Sequence, residues 1–329
     1  MASHDALAAS FGLLVAHTQN LGDDIQAIAA RQFLPNVDYY LDRESLSDFY
    51  AGRSVYTIFN GWFLHRTHKW PPSPDIKPLF ISFHIATSAS SQLLSGASIR
   101  YLEQYQPIGA RDLFTAEALK RHGVEAYFSG CLTLTLKGFS PPRPEGGRRG
   151  VLVIDLTPEV EAAIRAMGRT DLIFATQMLH TSLSDRSRSI SPLKKLIKKL
   201  VPSHRYSELQ YMLSGKSPLN PEHRLPLAEK RLEQIASAQL VVTSRLHVAL
   251  PAAALGTPVL FVPRDIDDPR FEGLKELVNT ISPSDLISHF EDYVAHPPGL
   301  PDPKRLLALQ NDLRKRVQEF INQARSNTS

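Results

Sequence analysis

The stretch "VVTSRLHVALPAAALGTPVLFV" (241–262) places Arg245 and His247 between two apolar runs. Arginine is a planar fork of N–H donors that matches a phosphate or carboxylate. Histidine is the side chain whose protons move most readily near neutral pH. Side by side, the two can hold an anion and move a proton next to it. They follow a strand-like run and open a helical pattern. In an open α/β sheet, ligands sit at the carboxyl ends of the strands. A helix start adds free N–H groups and partial positive charge, which favour the same anion. Taken alone, the pair has a second reading, in which backbone carbonyls satisfy both side chains. Position tips the balance toward a site, because a buried arginine without an anionic partner is costly.

Other polar residues are ranked by the same rule. In "HTQNLGDDIQ" (17–26), Asn20 and Gly22 allow a tight turn and Asp23 can cap a helix. The G-x-G-x-x-G spacing of a dinucleotide loop is absent. Asp23 and Asp24 repel phosphate, so this loop is expected to meet a sugar. "PIGARDLFTAEAL" (107–119) sets Arg111 and Asp112 at another helix start. Asn60 in "NGWF" and His84 in "FHI" follow strands, and a buried Trp or His there reads first as core. His180 in "TQMLHTSLSD" lies just past a strand end.

The elements that must position these residues alternate along the chain. Strand-like runs at 11–17, 54–60, 79–85 and 131–136 surround helical patterns at 23–34 and 111–123. A Pro-, Gly- and Arg-rich segment at 137–150 reads as a linker. The pattern then restarts, with strands at 151–156, 171–178, 239–243 and 258–262 and helices at 158–167, 226–237 and 246–255. Such alternation implies parallel sheets covered on both faces. The expectation is an α/β protein of two Rossmann-like domains, 1–145 and 146–329, facing a cleft. An amphipathic helix at 303–324, with Leu306, Leu309, Leu313, Val317, Phe320 and Ile321 on one face, closes the second domain.

The chain has 329 residues, a net charge of +4, 43% hydrophobic residues and a single cysteine, Cys131. That composition is globular, and the lone cysteine excludes an intrachain disulfide and fits a reducing compartment. No zinc spacing, nucleic-acid recognition signature, signal peptide or membrane-spanning run is evident. The reading is a soluble, cytoplasmic protein that needs no metal and has no nucleic-acid partner.

Five segments in order, "NLGDDIQ", "NGWFLH", "PIGARDLFT", "YFSGCLTLTL" and "VVTSRLHVALPAAALGTPVLFV", resemble the polysaccharide pyruvyl transferase family. The resemblance implies a GT-B-like fold. It also implies transfer of a pyruvyl group from phosphoenolpyruvate to a sugar of a surface polysaccharide or its lipid-linked precursor, with ketal formation. Phosphoenolpyruvate is then a co-substrate, and no further cofactor is called for. The resemblance puts His247 in the catalytic role and Arg245, Arg111 and, with less weight, His180 on the donor. The N-terminal domain would take the acceptor, through Asn20, Gly22, Asp23 and Asn60. Two alternatives remain: a GT-B glycosyltransferase using a nucleotide sugar, and a non-catalytic glycan- or anion-binding protein.

The segment "RSRSISPLKKLIKKLVPSHR" (186–205) matches nothing in the family. Its leucines and isoleucines follow helical spacing and its lysines lie off that stripe. Two readings stay open: a helix packed on the second domain, or one lying at the inner face of an anionic membrane, where a lipid-linked acceptor would be met.

Overall fold

A computed structural model describes residues 9–138, 147–179 and 220–327. His180, residues 186–205 and most of the 137–150 linker lie outside the described residues.

The apolar runs form two parallel sheets. The first has strands β1 (Ser10–Val15), β2 (Tyr39–Asp42), β3 (Val55–Phe63), β4 (Ile76–Ile85), β5 (Ile108–Ala110) and β6 (Ala126–Phe128), in the order β2-β1-β3-β4-β5-β6. The second has β7 (Val151–Ile154), β8 (Leu172–Ala175), β9 (Leu240–Thr243), β10 (Val259–Phe261) and β11 (Asn279–Thr280), in the order β11-β10-β9-β7-β8. Every residue of β1, β7 and β9 is buried. Covering both faces of a parallel sheet requires this, so the runs are continuously apolar instead of alternating.

Helices α1 (Leu21–Arg31), α2 (Ser90–Leu93), α3 (Gly96–Glu103) and α4 (Leu113–Arg121) accompany the first sheet. Helices α5 (Pro158–Ala166), α6 (Pro221–Ser237), α7 (Leu246–Ala254), α8 (Pro283–Ala295) and α9 (Pro303–Ser326) follow. Each half has an apolar cluster of its own, and a third cluster spans both. Ile25, Ile28 and Ala29 of α1 share one apolar cluster with Leu225, Leu232 and Ile235 of α6 and with Val248 and Ala252 of α7. Beside it, Arg224 of α6 forms a buried two-pronged pair with Asp24 of α1, at 2.9 Å and 2.7 Å.

One expectation from the sequence changes. "CLTLTL" is not a strand: Leu132–Gly138 form a 3-10 segment. Its leucines and threonines are buried alike, so the alternation never separates a core face from a solvent face. The helix α9 packs on that 3-10 segment and on β3 and β4, and also on the 3-10 turn Lys275–Leu277 of the second half. Leu306, Leu313, Val317 and Ile321 are buried, Phe320 meets Tyr56 edge-on at 5.9 Å, and Gln310 Nε2 donates to the Leu134 carbonyl at 3.0 Å. The amphipathic stripe specifies that a face is covered and leaves open by which domain.

Candidate functional site

A cavity of about 360 Å³ lies where the two sheets direct their carboxyl ends toward each other. Two helices begin at it. Asn20 caps α1, its Oδ1 accepting from the Gly22 N–H at 3.0 Å. Arg245 stands at the N-cap of α7 with extended backbone, and Leu246 and His247 form the first turn. The helix starts meet closely at Gly22, where an added Cβ would lie 3.2 Å from His247 Cβ and 3.1 Å from Asn20 Oδ1. Glycine suits the close approach between the two halves here, in addition to the turn role expected of it. Backbone hydrogen bonds sew the same seam: Leu21 N–H donates to Gln177 O at 2.8 Å and Leu179 N–H to Gln19 O at 2.7 Å. Two partial positive charges at helix ends therefore border one cavity.

Among the described residues, Arg43, Arg111, Arg245 and Arg270 line it, and each is backed by a carboxylate. Arg245 Nε donates to Asp155 Oδ2 at 2.9 Å, and the side chain remains 38% exposed. The anionic partner demanded on energetic grounds is thus supplied first by the protein, from the turn after β7. Asp155 also accepts from the Gln177 N–H at 3.0 Å. Arg111 is nearly buried and its Nε reaches Asp112 Oδ2 at 3.3 Å. Arg43 is as buried, with Nη1 3.0 Å from Asp23 Oδ1 and Nε 3.4 Å from Glu44 Oε1. Arg270 Nε lies 2.9 Å from both Asp268 oxygens. The carboxylates behind Arg43, Arg245 and Arg270 orient those forks before any ligand arrives, and the contact behind Arg111 is longer.

His247 lies between these charges. Its Nε2 is buried and finds no hydrogen-bond partner among the described residues. Burial first, then the Arg111 charge, push its pKa down to about 3, while Asp23 opposes them. The ring is therefore neutral in the free protein. Its backbone is held in an unusual way. Pro251 lacks the N–H that a regular helix would direct at the His247 carbonyl, and Gln177 Nε2 donates to that carbonyl instead, at 3.3 Å. With the helical ladder opened there, His247 takes non-helical dihedrals, φ −81° and ψ 24°.

The acceptor residues expected from the sequence divide. Asn20, Gly22 and Asp23 line the cavity. Asp23 is already engaged, its Oδ2 accepting from Thr18 Oγ1 at 2.6 Å and its Oδ1 from Arg43. Burial would raise its pKa, but Arg43 and the Thr18 hydroxyl outweigh burial and hold it below the ordinary carboxylate value. Asn60 does not line the cavity. A register shift between Phe59 and Gly61 turns it beneath α1, where its Nδ2 donates to Gln26 O at 2.9 Å. That bond ties the end of β3 to α1.

Sequence reasoning passed over Arg43, Asp155, Gln177 and Arg270, and read Trp62, which with His65 stands on the first-domain wall, first as core. Arg43 and Asp155 directly follow the carboxyl ends of β2 and β7, so the rule that found Arg245 applies to them too. Arg270 sits in the short 3-10 turn Pro269–Phe271, whose composition gives no signal.

The family model described as polysaccharide pyruvyl transferase matches residues 20–266. No curated protein matches the chain. Among solved structures, a UDP-GlcNAc 2-epimerase from Methanocaldococcus jannaschii is 11% identical and covers 93% of this chain and 99% of its own, at TM-score 0.48. An uncharacterised protein from Klebsiella pneumoniae is 14% identical over 84% of this chain and 93% of its own, at TM-score 0.44. A wall teichoic acid polymerase is 9% identical over 98% of this chain and 90% of its own, at TM-score 0.42. Likeness at this level carries no argument about ligand or reaction.

Proposed function

Since the chain belongs to the polysaccharide pyruvyl transferase family, we propose that it moves the pyruvyl unit of phosphoenolpyruvate onto a sugar of a polysaccharide or its lipid-linked precursor, closing a ketal. The observation that carries this reading is the convergence of Arg111, Arg245, Arg270 and the α7 N-terminus on one cavity around an unpartnered His247 Nε2. Phosphoenolpyruvate brings a phosphate and a carboxylate, each suited to a guanidinium fork. Its arrival offsets the arginine field and raises the His247 pKa, so the ring gains a proton beside the donor.

The steps balance without an added reactant. Imidazolium at His247 gives its proton to the methylene carbon of the donor, making a methyl group and an electron-poor C2. A sugar hydroxyl attacks C2, and its proton returns to His247. The bond from C2 to the phosphate oxygen then breaks, a second hydroxyl closes the ketal, and its proton leaves with phosphate. Asn20, Asp23 and Thr18, on the first-domain side, face the acceptor.

The test is a mass measurement. The protein is incubated with phosphoenolpyruvate and glycan from its own source, and the product is examined for one added pyruvate with release of inorganic phosphate. Binding of UDP and GDP is measured in parallel. Tight binding of a nucleotide diphosphate, with no pyruvate added, overturns the donor assignment in favour of a nucleotide-sugar enzyme.

A further inference from the structure

The strand β4 ends in Phe83, His84 and Ile85, with His84 in register beside Trp62 of β3. The side chains of His84 and Asp112 are both fully buried. His84 Nδ1 lies 2.6 Å from Asp112 Oδ2 and 3.2 Å from Thr115 Oγ1. A neutral imidazole facing a carboxylate through Nδ1 carries its proton there, which leaves Nε2 as a bare lone pair. That Nε2 is buried and has no partner among the described residues. Burial, then the Arg111 charge, hold the ring neutral with a pKa of about 4, against the pull of Asp112.

The same Asp112 oxygen also receives Arg111 Nε, at the longer distance of 3.3 Å. Asp112 Oδ1 meanwhile caps α4 by accepting from the Thr115 N–H at 2.9 Å. The carboxylate is thus shared among three donors, and its shortest contact is with His84. Arg111, which lines the cavity, is held loosely from behind. A buried carboxylate deprived of its imidazole would close on the remaining charged partner and neutralise it.

We propose that His84 is a positioning residue of the donor site: by engaging Asp112, it sets the place of Arg111 and leaves the guanidinium charge for the donor's anionic group. This rests on the donor reading given above. It differs from a packing role in a way that substitution can separate. Asparagine can present an N–H near the Nδ1 position, whereas leucine fills the space without a donor.

Binding of phosphoenolpyruvate is measured by calorimetry for wild type, His84→Leu and His84→Asn, with thermal melting to confirm that each variant is folded. The expected result is a weakening of roughly tenfold or more in His84→Leu, from the loss of a charge-assisted hydrogen bond, with most of the affinity kept in His84→Asn. Equal affinity in wild type and His84→Leu overturns the proposal, as does equal weakening in both variants. Should wild type itself fail to bind phosphoenolpyruvate, the donor reading falls separately. His84 is then judged by the Arg111 Nε–H resonance in ligand-free protein: a shift in His84→Leu and not in His84→Asn supports the positioning role, and any other pattern overturns it.

Discussion

At the scale of single residues, the site works by preparing charges in advance. Arg245 is oriented by Asp155 through one nitrogen, 2.9 Å away. On the proposed reaction, Arg245→Ala should weaken phosphoenolpyruvate binding by on the order of 2 kcal/mol while leaving acceptor binding nearly unchanged. Arg245→Lys should recover only part, because an ammonium cannot present the fork. Calorimetric donor affinity in the three proteins checks this, and equal values remove Arg245 from the donor site. His247 makes a second prediction. Its folded pKa of about 3 lies below the unfolded value of 6.5. Between those values the unfolded chain binds a proton that the native state does not, so stability falls as pH drops through that window. From about pH 7 to about pH 4, wild type should therefore lose stability relative to His247→Gln, as read by urea midpoints. Parallel pH profiles would mean that the ring is not held neutral by its surroundings.

At the scale of elements, helix α9 decides more than its distance from the site suggests. It follows the second sheet in the chain but covers the 3-10 segment Leu132–Gly138 of the first domain. That segment also packs against α1 and α7, the two helices that open at the cavity. Leu313 on α9 is fully buried in this layer. Truncation to Ala at such a position typically costs about 2 to 5 kcal/mol, through lost transfer energy and the cavity left behind. Leu313→Ala should lower the stability of the protein by an amount in that range in denaturant titration. The equivalent change at half-exposed Leu307 should cost much less. Similar losses at both positions would show that the helix is not seated as described.

At the scale of the whole molecule, the two sheets are joined by an apolar seam beside the buried ion pair of Arg224 with Asp24. Arg224 also donates to the Thr18 carbonyl, next to the loop that holds Asn20 and Asp23. Removing one member of a buried pair leaves an uncompensated charge and costs on the order of 3 to 5 kcal/mol. Arg224→Met should destabilise the protein on that scale. It should also loosen the first-domain wall of the cavity, seen as raised hydrogen exchange at the start of α1. Unchanged exchange there would separate the pair from the site. Among the described residues, no helix is long and apolar enough to cross a membrane.

The sequence by itself determined the parallel α/β class, the restart of the pattern near Val151, and the placement of Arg245 and His247 where a strand hands over to a helix. Each of these follows from local information: continuous apolar runs, helical spacing, and polar residues at strand ends. Likeness in five ordered segments pointed to the family, and the match over residues 20–266 bears that out. Only the tertiary structure decided what those residues touch. Asp155 is 90 positions from Arg245, and Arg224 is 200 from Asp24. Pairing at such separations leaves no periodic trace, since any acid at a strand end serves as well on paper. Asn60 looked equivalent to Asn20 as a polar residue near a strand end, until a register shift turned it under α1. His84 read as core, and it is core by burial. Its meeting with Asp112 depends on β4 and α4 packing side by side, a contact between elements that no spacing within either one specifies.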